Sequence, residues 1–220
     1  MPPSRVAVFG LFNTGTNLAS KLVEADDSII NIDIERRGTW KHALLNAEKD
    51  KNITPHVDEV IMMTRHPCTW YLGMDKSPYG TKNARNGDTF NAKRLDRFSE
   101  QAWFAANRGN AWNTYYSAAA RFQEESALPV RFVRYEDLLG DDGLDKWVDA
   151  AREGGVSSLT PETYDKVLSR KAKTHGKPRT RQKAQRVANA GCSALDKDVL
   201  DRLKFTVDLK LAASFGYDVW

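Results

Sequence analysis

The stretch from Arg5 to Val23, RVAVFGLFNTGTNLASKLV, constrains the fold more than any other part of the chain. Val6 to Phe9 form an apolar run short enough for a buried strand. Gly10, Gly15 and Thr16 mark a tight loop, and Leu18, Leu22 and Val23 then recur on one side of a helix. A strand that turns through glycines into a helix leaves the first N–H groups of that helix without carbonyl partners, at the positive end of its dipole. Such a loop cradles an anion with backbone amides alone. The same residues are equally compatible with an ordinary strand–turn–helix carrying two turn glycines.

Gly10 and Gly15 have the glycine spacing of a Walker A loop, but Thr16 and Asn17 stand where that motif needs Lys and Ser/Thr. A nucleoside triphosphatase would thus lack both its phosphate lysine and its magnesium hydroxyl.

Further along, Ser28 to Ile34 and Val57 to Thr64 read as strands, so strand, helix and strand follow at the spacing of a βαβ unit with a parallel sheet. The apolar end of Val57–Thr64 marks a central strand and delivers Arg65, His66 and Pro67 to the sheet edge where open α/β folds place ligands. Residues 43–47 form a short amphipathic piece before a polar loop through Pro55. A helix begins near Cys68. Trp112, Tyr115, Tyr116, Ala119 and Phe122 have the spacing of a core helix, Val130 to Tyr135 is a fourth strand, and helices follow at 143–152 and 161–170. Thr160 is the expected N-cap of the latter, and Thr163 in place of Glu or Gln leaves its capping box half made. Residues 196–215 form a last helix or pair. The whole, 1–220, reads as one α/β domain with a polar excursion at 75–110, whose residues are candidates for acceptor contacts.

The formal charge of +4 is unevenly placed. Arg170 to Arg186 holds eight Lys/Arg and no acid, leaving 25 basic against 29 acidic residues elsewhere. With no aromatic in that run, a focused site for a small polyanion is expected in preference to general nucleic-acid binding. Cys68 and Cys192 are too few for a disulfide framework and form no CxxC pair, so a reducing compartment without structural zinc is expected. No apolar run reaches the ~18 residues of a membrane span, and the opening MPPSRVAVFG does not have the form of a secretory signal. Together these predict a soluble, cytoplasmic protein.

The Gly-Thr loop, Lys41-His42, Arg65-His66-Pro67 and Arg134-Tyr135-Glu136-Asp137-Leu138, in that order, resemble the sulfotransferases that use 3′-phosphoadenosine 5′-phosphosulfate (PAPS). The resemblance implies a three-layer α/β/α fold with a central parallel sheet and P-loop-NTPase-like topology. It also implies transfer of a sulfuryl group from PAPS to a hydroxyl or amine of a small-molecule or carbohydrate acceptor, with no metal. On this likeness Phe12, Asn13, Thr14, Gly15, Thr16 and Asn17 hold the 5′-phosphosulfate, and Arg65 the 3′-phosphate. Tyr135 lies near the adenine, while Lys171, Lys173, Lys177, Arg179 and Arg181 belong to a basic loop over the cofactor. His42, 23 residues before Arg65, is the expected base and Lys41 the expected cation at the sulfuryl oxygens. His66 is a weaker candidate, and Glu136 and Asp137 are expected to cap the following helix. Two positions depart from the family. Asn13 stands where a basic residue is usual, and Gly73 where a serine binds the 3′-phosphate. Two alternatives remain open at this level, a P-loop nucleotide kinase or triphosphatase and a non-catalytic nucleotide-binding relative.

Overall fold

A computed structural model describes residues 3–76, 108–151, 157–169 and 181–218. Four parallel strands, β1 (Ser4–Gly10), β2 (Ile29–Asn31), β3 (Glu59–Thr64) and β4 (Val130–Arg134), form one sheet in the order β2-β1-β3-β4. Alternation along the strands feeds two cores, because successive side chains leave a strand on opposite faces. Ala7, Phe9, Val60 and Met62 enter one core, and Val6, Val8, Ile61 and Met63 the other. The first is covered by α3 (Pro67–Lys76), α4 (Arg108–Glu125), α8 (Lys197–Thr206) and α9 (Leu209–Ser214). The second is covered by α1 (Thr16–Ala25), α5 (Gly143–Ala151) and α6 (Pro161–Ser169). Helices on both faces of a parallel sheet are what fully buried strands such as β3 require. Among the described residues no helix is long and apolar enough to cross a membrane.

The expected aromatic stripe of α4 is core: Trp112, Tyr115, Tyr116, Ala119 and Phe122 are all buried. Thr160 accepts a hydrogen bond from the amide of Thr163 at 3.2 Å, and its hydroxyl donates to that of Thr163 in place of a capping-box carboxylate. Three expectations need correction. β2 ends at Asn31, because Asp33 accepts from the Glu35 amide and starts a short 3-10 turn over Ile34–Arg37. Ala47–Ile53, taken as loop, is helix α2, anchored by buried Ile53. Most consequentially, the two cysteines are not free thiols. Cys68, in the first turn of α3, and Cys192, in a 3-10 turn (Gly191–Ala194) after α7 (Arg181–Ala190), are disulfide-bonded with their α-carbons 5.0 Å apart. Such a bond persists in oxidising compartments, so the cysteine count no longer argues for a reducing one.

Candidate functional site

The chain leaves β1 toward β2 on one side and leaves β3 toward β4 on the other, so the C-terminal ends of β1 and β3 flank the topological switch point, where α/β sheets open a ligand crevice. The loop after β1 needs its glycines. A Cβ on Gly10 would lie 2.6 Å from the Thr14 hydroxyl and 2.9 Å from the Met63 Cβ, while Gly15 has φ 93° and closes on the Tyr135 ring. Asn13, φ 60°, is the one non-glycine residue in the left-handed region among the described residues, and Asn tolerates it better than most.

Around this loop five carbonyls are turned into the protein. Gly10 accepts from His42 Nδ1 (2.6 Å), Leu11 from the Thr14 hydroxyl (2.6 Å) and Phe12 from Trp70 Nε1 (2.7 Å). Asn13 accepts from Arg65 Nη1 at 2.7 Å, and Gly15 from the amides of Leu18 and Ala19 at 2.8 and 3.0 Å. In a trans peptide the N–H that follows a carbonyl points the opposite way. The Thr16 amide, opposite the Gly15 carbonyl that accepts from Leu18 and Ala19, therefore points out of the N-terminal end of α1, which starts at Thr16.

Lys41 and His42 clamp the same glycine from both directions: the Gly10 amide donates to the Lys41 carbonyl at 3.1 Å while His42 Nδ1 donates to the Gly10 carbonyl. His42 stacks on Phe12 at 4.6 Å and meets the edge of Trp40 at 5.0 Å. A carbonyl can only accept, so Nδ1 carries the proton and the neutral ring has its lone pair on Nε2, the form a general base requires. Lys41 Nζ donates to Asn17 Oδ1 at 3.1 Å and lies 4.0 Å from Glu35, at the start of α1.

Arg65 is 5% exposed. Besides Asn13 it donates from Nε to Thr69 Oγ1 at 3.2 Å, stacks 4.6 Å over the Tyr135 ring and lies 4.0 Å from Glu136. Tyr135 itself is the wall of the loop, with its Cδ2 2.4 Å from where a Gly15 Cβ would stand. Glu136 does not cap a helix with its side chain. It gathers donors at the end of β3: the Thr69 hydroxyl (2.6 Å), the His66 amide (3.2 Å) and the Tyr217 hydroxyl (3.3 Å). Burial keeps Tyr217 protonated by raising its pKa far above the usual phenol range, an effect the Glu136 charge reinforces. Asp137 faces Arg134 across 3.6 Å, and burial raises its pKa as well. His66 accepts from the Cys68 amide at Nδ1 and donates from Nε2 to the Asp218 carbonyl, both at 3.2 Å, and burial lowers its pKa. Each of its ring nitrogens thus makes one hydrogen bond to the main chain.

The two departures, Asn13 and Gly73, meet in space. A Cβ on Gly73 would lie 3.0 Å from Arg65 Nη1 and 3.4 Å from the Asn13 Cβ, so glycine there gives Arg65 room to reach back to the loop. Phe12 to Asn17, Lys41, His42, Arg65 and Tyr135 are thus assembled at one sheet edge. Lys171, Lys173, Lys177 and Arg179 lie outside the described residues, as do residues 77–107 of the polar excursion. Trp70 was missed as part of this assembly, since nothing in its local sequence marks it, and Glu136, expected as a helix cap, instead joins the network at the end of β3. No family model, curated protein or solved structure matches the chain.

Proposed function

We propose that the chain is a sulfotransferase of P-loop-like topology that moves a sulfuryl group from PAPS to an acceptor hydroxyl or amine. The observation that carries the reading is the clamp at Gly10, through which His42 is registered to the loop that leads into the first turn of α1. The cradle suits a sulfated or phosphorylated 5′ end, because its donors are backbone N–H groups at a helix start and need no desolvated lysine. The bound donor supplies the sulfuryl group. The chain's own part is to accept the acceptor's proton on His42 Nε2, to hold Lys41 beside the first turn of α1, and to keep the loop in its left-handed turn. Arg65 reaches a 3′-phosphate only with the donors left after Asn13 and Thr69, so Lys171, Lys173, Lys177 or Arg179 carry much of that binding in this reading. The alternative of a nucleotide-binding relative without chemistry draws on that same engagement of Arg65.

Calorimetric titration with 3′,5′-ADP tests the cradle, and transfer assays on His42→Ala test the base. The expected result is saturable binding by both proteins, with transfer lost in the variant by 10²-fold or more. Absence of binding by the wild type refutes the proposal, whereas binding without transfer to a broad acceptor panel selects the non-catalytic alternative. Magnesium-dependent ATP binding would select the kinase or triphosphatase.

A further inference from the structure

Outside the crevice, one cluster of reactive side chains has no part in the proposed transfer. His66, Cys68 and Cys192 bring an imidazole nitrogen and two sulfurs within 4.8 Å of one another. We propose that, when a dithiol reduces the Cys68–Cys192 bond, these three residues bind a single thiophilic divalent cation, zinc by ligand preference.

The ligand set is an imidazole with two thiolates, which selects zinc among the common divalent ions. A tetrahedral zinc site with Zn–S near 2.3 Å and Zn–N near 2.0 Å places its ligands about 3.5 Å apart, a spacing side-chain rotation reaches from the observed cluster. His66 is already set in the right tautomer. Its Nε2–H donates to the Asp218 carbonyl, and its Nδ1 lone pair accepts from the Cys68 amide, a bond that the cation replaces. A metal-bound histidine is typically fixed in this way, by its second N–H on a backbone carbonyl. The turn that carries Cys192 also packs on α3, which carries Cys68, so contacts besides the bond join the two segments. Cys68 is buried, while His66 and Cys192 are half-buried, so reductant and ion approach from the Cys192 side. The electron count closes. The dithiol gives two electrons and two protons to the S–S bond and becomes a cyclic disulfide, and the cation then displaces both thiol protons to solvent. A water fills the fourth position. The sequence hid this site because its ligands are split between two elements 124 residues apart.

The test is a cobalt titration of the full chain, reduced with a phosphine so that the reductant does not compete for the ion. The expected result is one equivalent of Co²⁺ bound with tetrahedral d–d bands and a thiolate-to-cobalt charge-transfer band, displaced by zinc and absent from the oxidised chain. His66→Gln should weaken binding 10- to 100-fold with the charge-transfer band retained, and the Cys68→Ser/Cys192→Ser variant should abolish that band. A reduced chain that gives no saturable band overturns the proposal, whether or not its far-ultraviolet circular dichroism is intact, since the ligands are held to stay together without the bond. Equal affinity in the double variant overturns it too.

Discussion

The two strand ends that flank the crevice are built by opposite means. After β1 the main chain makes the surface: a left-handed Asn13, a left-handed Gly15 and a row of carbonyls pinned from behind. After β3 charged and hydroxyl side chains make it, with Arg65, Thr69, Glu136 and Tyr217 in one buried network. The first arrangement presents N–H groups whose dipoles are independent of pH; the second spends its charge inside the fold, holding the first in place. Arg65 joins them, since its Nη1 reaches the Asn13 carbonyl and its Nε the Thr69 hydroxyl. A cation at the crevice is thus a brace before it is a ligand.

That contrast can be broken most forcibly at the joint. Arg65→Met takes the cation away from half-buried Glu136 and one donor from the Asn13 carbonyl, and should cost about 2–4 kcal/mol in urea unfolding. A loss below 1 kcal/mol would mean that the network is not the support it looks like. Gly15→Ala attacks the backbone side alone, combining a left-handed φ with a collision against Tyr135; about 2–3 kcal/mol is expected from thermal unfolding, together with loss of 3′,5′-ADP binding. Trp70→Phe removes the donor to Phe12 together with part of a fully buried ring and should cost about 1–3 kcal/mol. If its 3′,5′-ADP affinity equals that of wild type, the loop holds its shape without being pinned there.

A finer comparison uses Asp26, whose carboxylate at the end of α1 accepts from Ser28, Ser157 and Ser158. Burial raises its pKa, but the hydrogen bonds outweigh that and the net shift is downward. With a folded pKa below the unfolded value near 3.9, its contribution is complete above about pH 4–5 and is lost as pH falls through the folded pKa. Asp26→Asn should flatten the acid limb of a stability-versus-pH curve, whereas Gly15→Ala should shift the curve without changing its slope. Smallest of all is Gly73→Ser, where a Cβ 3.0 Å from Arg65 Nη1 asks the guanidinium to move by tenths of an ångström. Less than about 1 kcal/mol is expected, because serine recovers some helix propensity.

How far each region could be read beforehand follows from the same contrast. Glycine spacing, an apolar run and a helical stripe lie within twenty residues, so β1, the loop and α1 were legible, whereas Lys41-His42 stood out only through the resemblance, which implies a histidine about that far ahead of Arg65. The commitments of Arg65 were not, because they depend on Gly73, Tyr135 and Glu136, which only folding brings near. Helix α2, AEKDKNI, has too few apolar residues for a stripe and is anchored by Ile53. The cysteine pair gave no signal either, since a separation of 124 residues is indistinguishable from chance.

The bond between Cys68 and Cys192 makes the oxidised polypeptide a covalent ring with two tails. Strands β1, β2 and β3, the loop and His42 all belong to the leading tail, whereas β4, which pairs with β3, lies in the ring. A protease that nicks the chain anywhere between those cysteines leaves its products tethered until a reductant is added. One that cuts between the loop after β1 and Cys68 yields a fragment that carries that loop and is held by non-covalent contacts alone, so a denaturant frees it without a reductant.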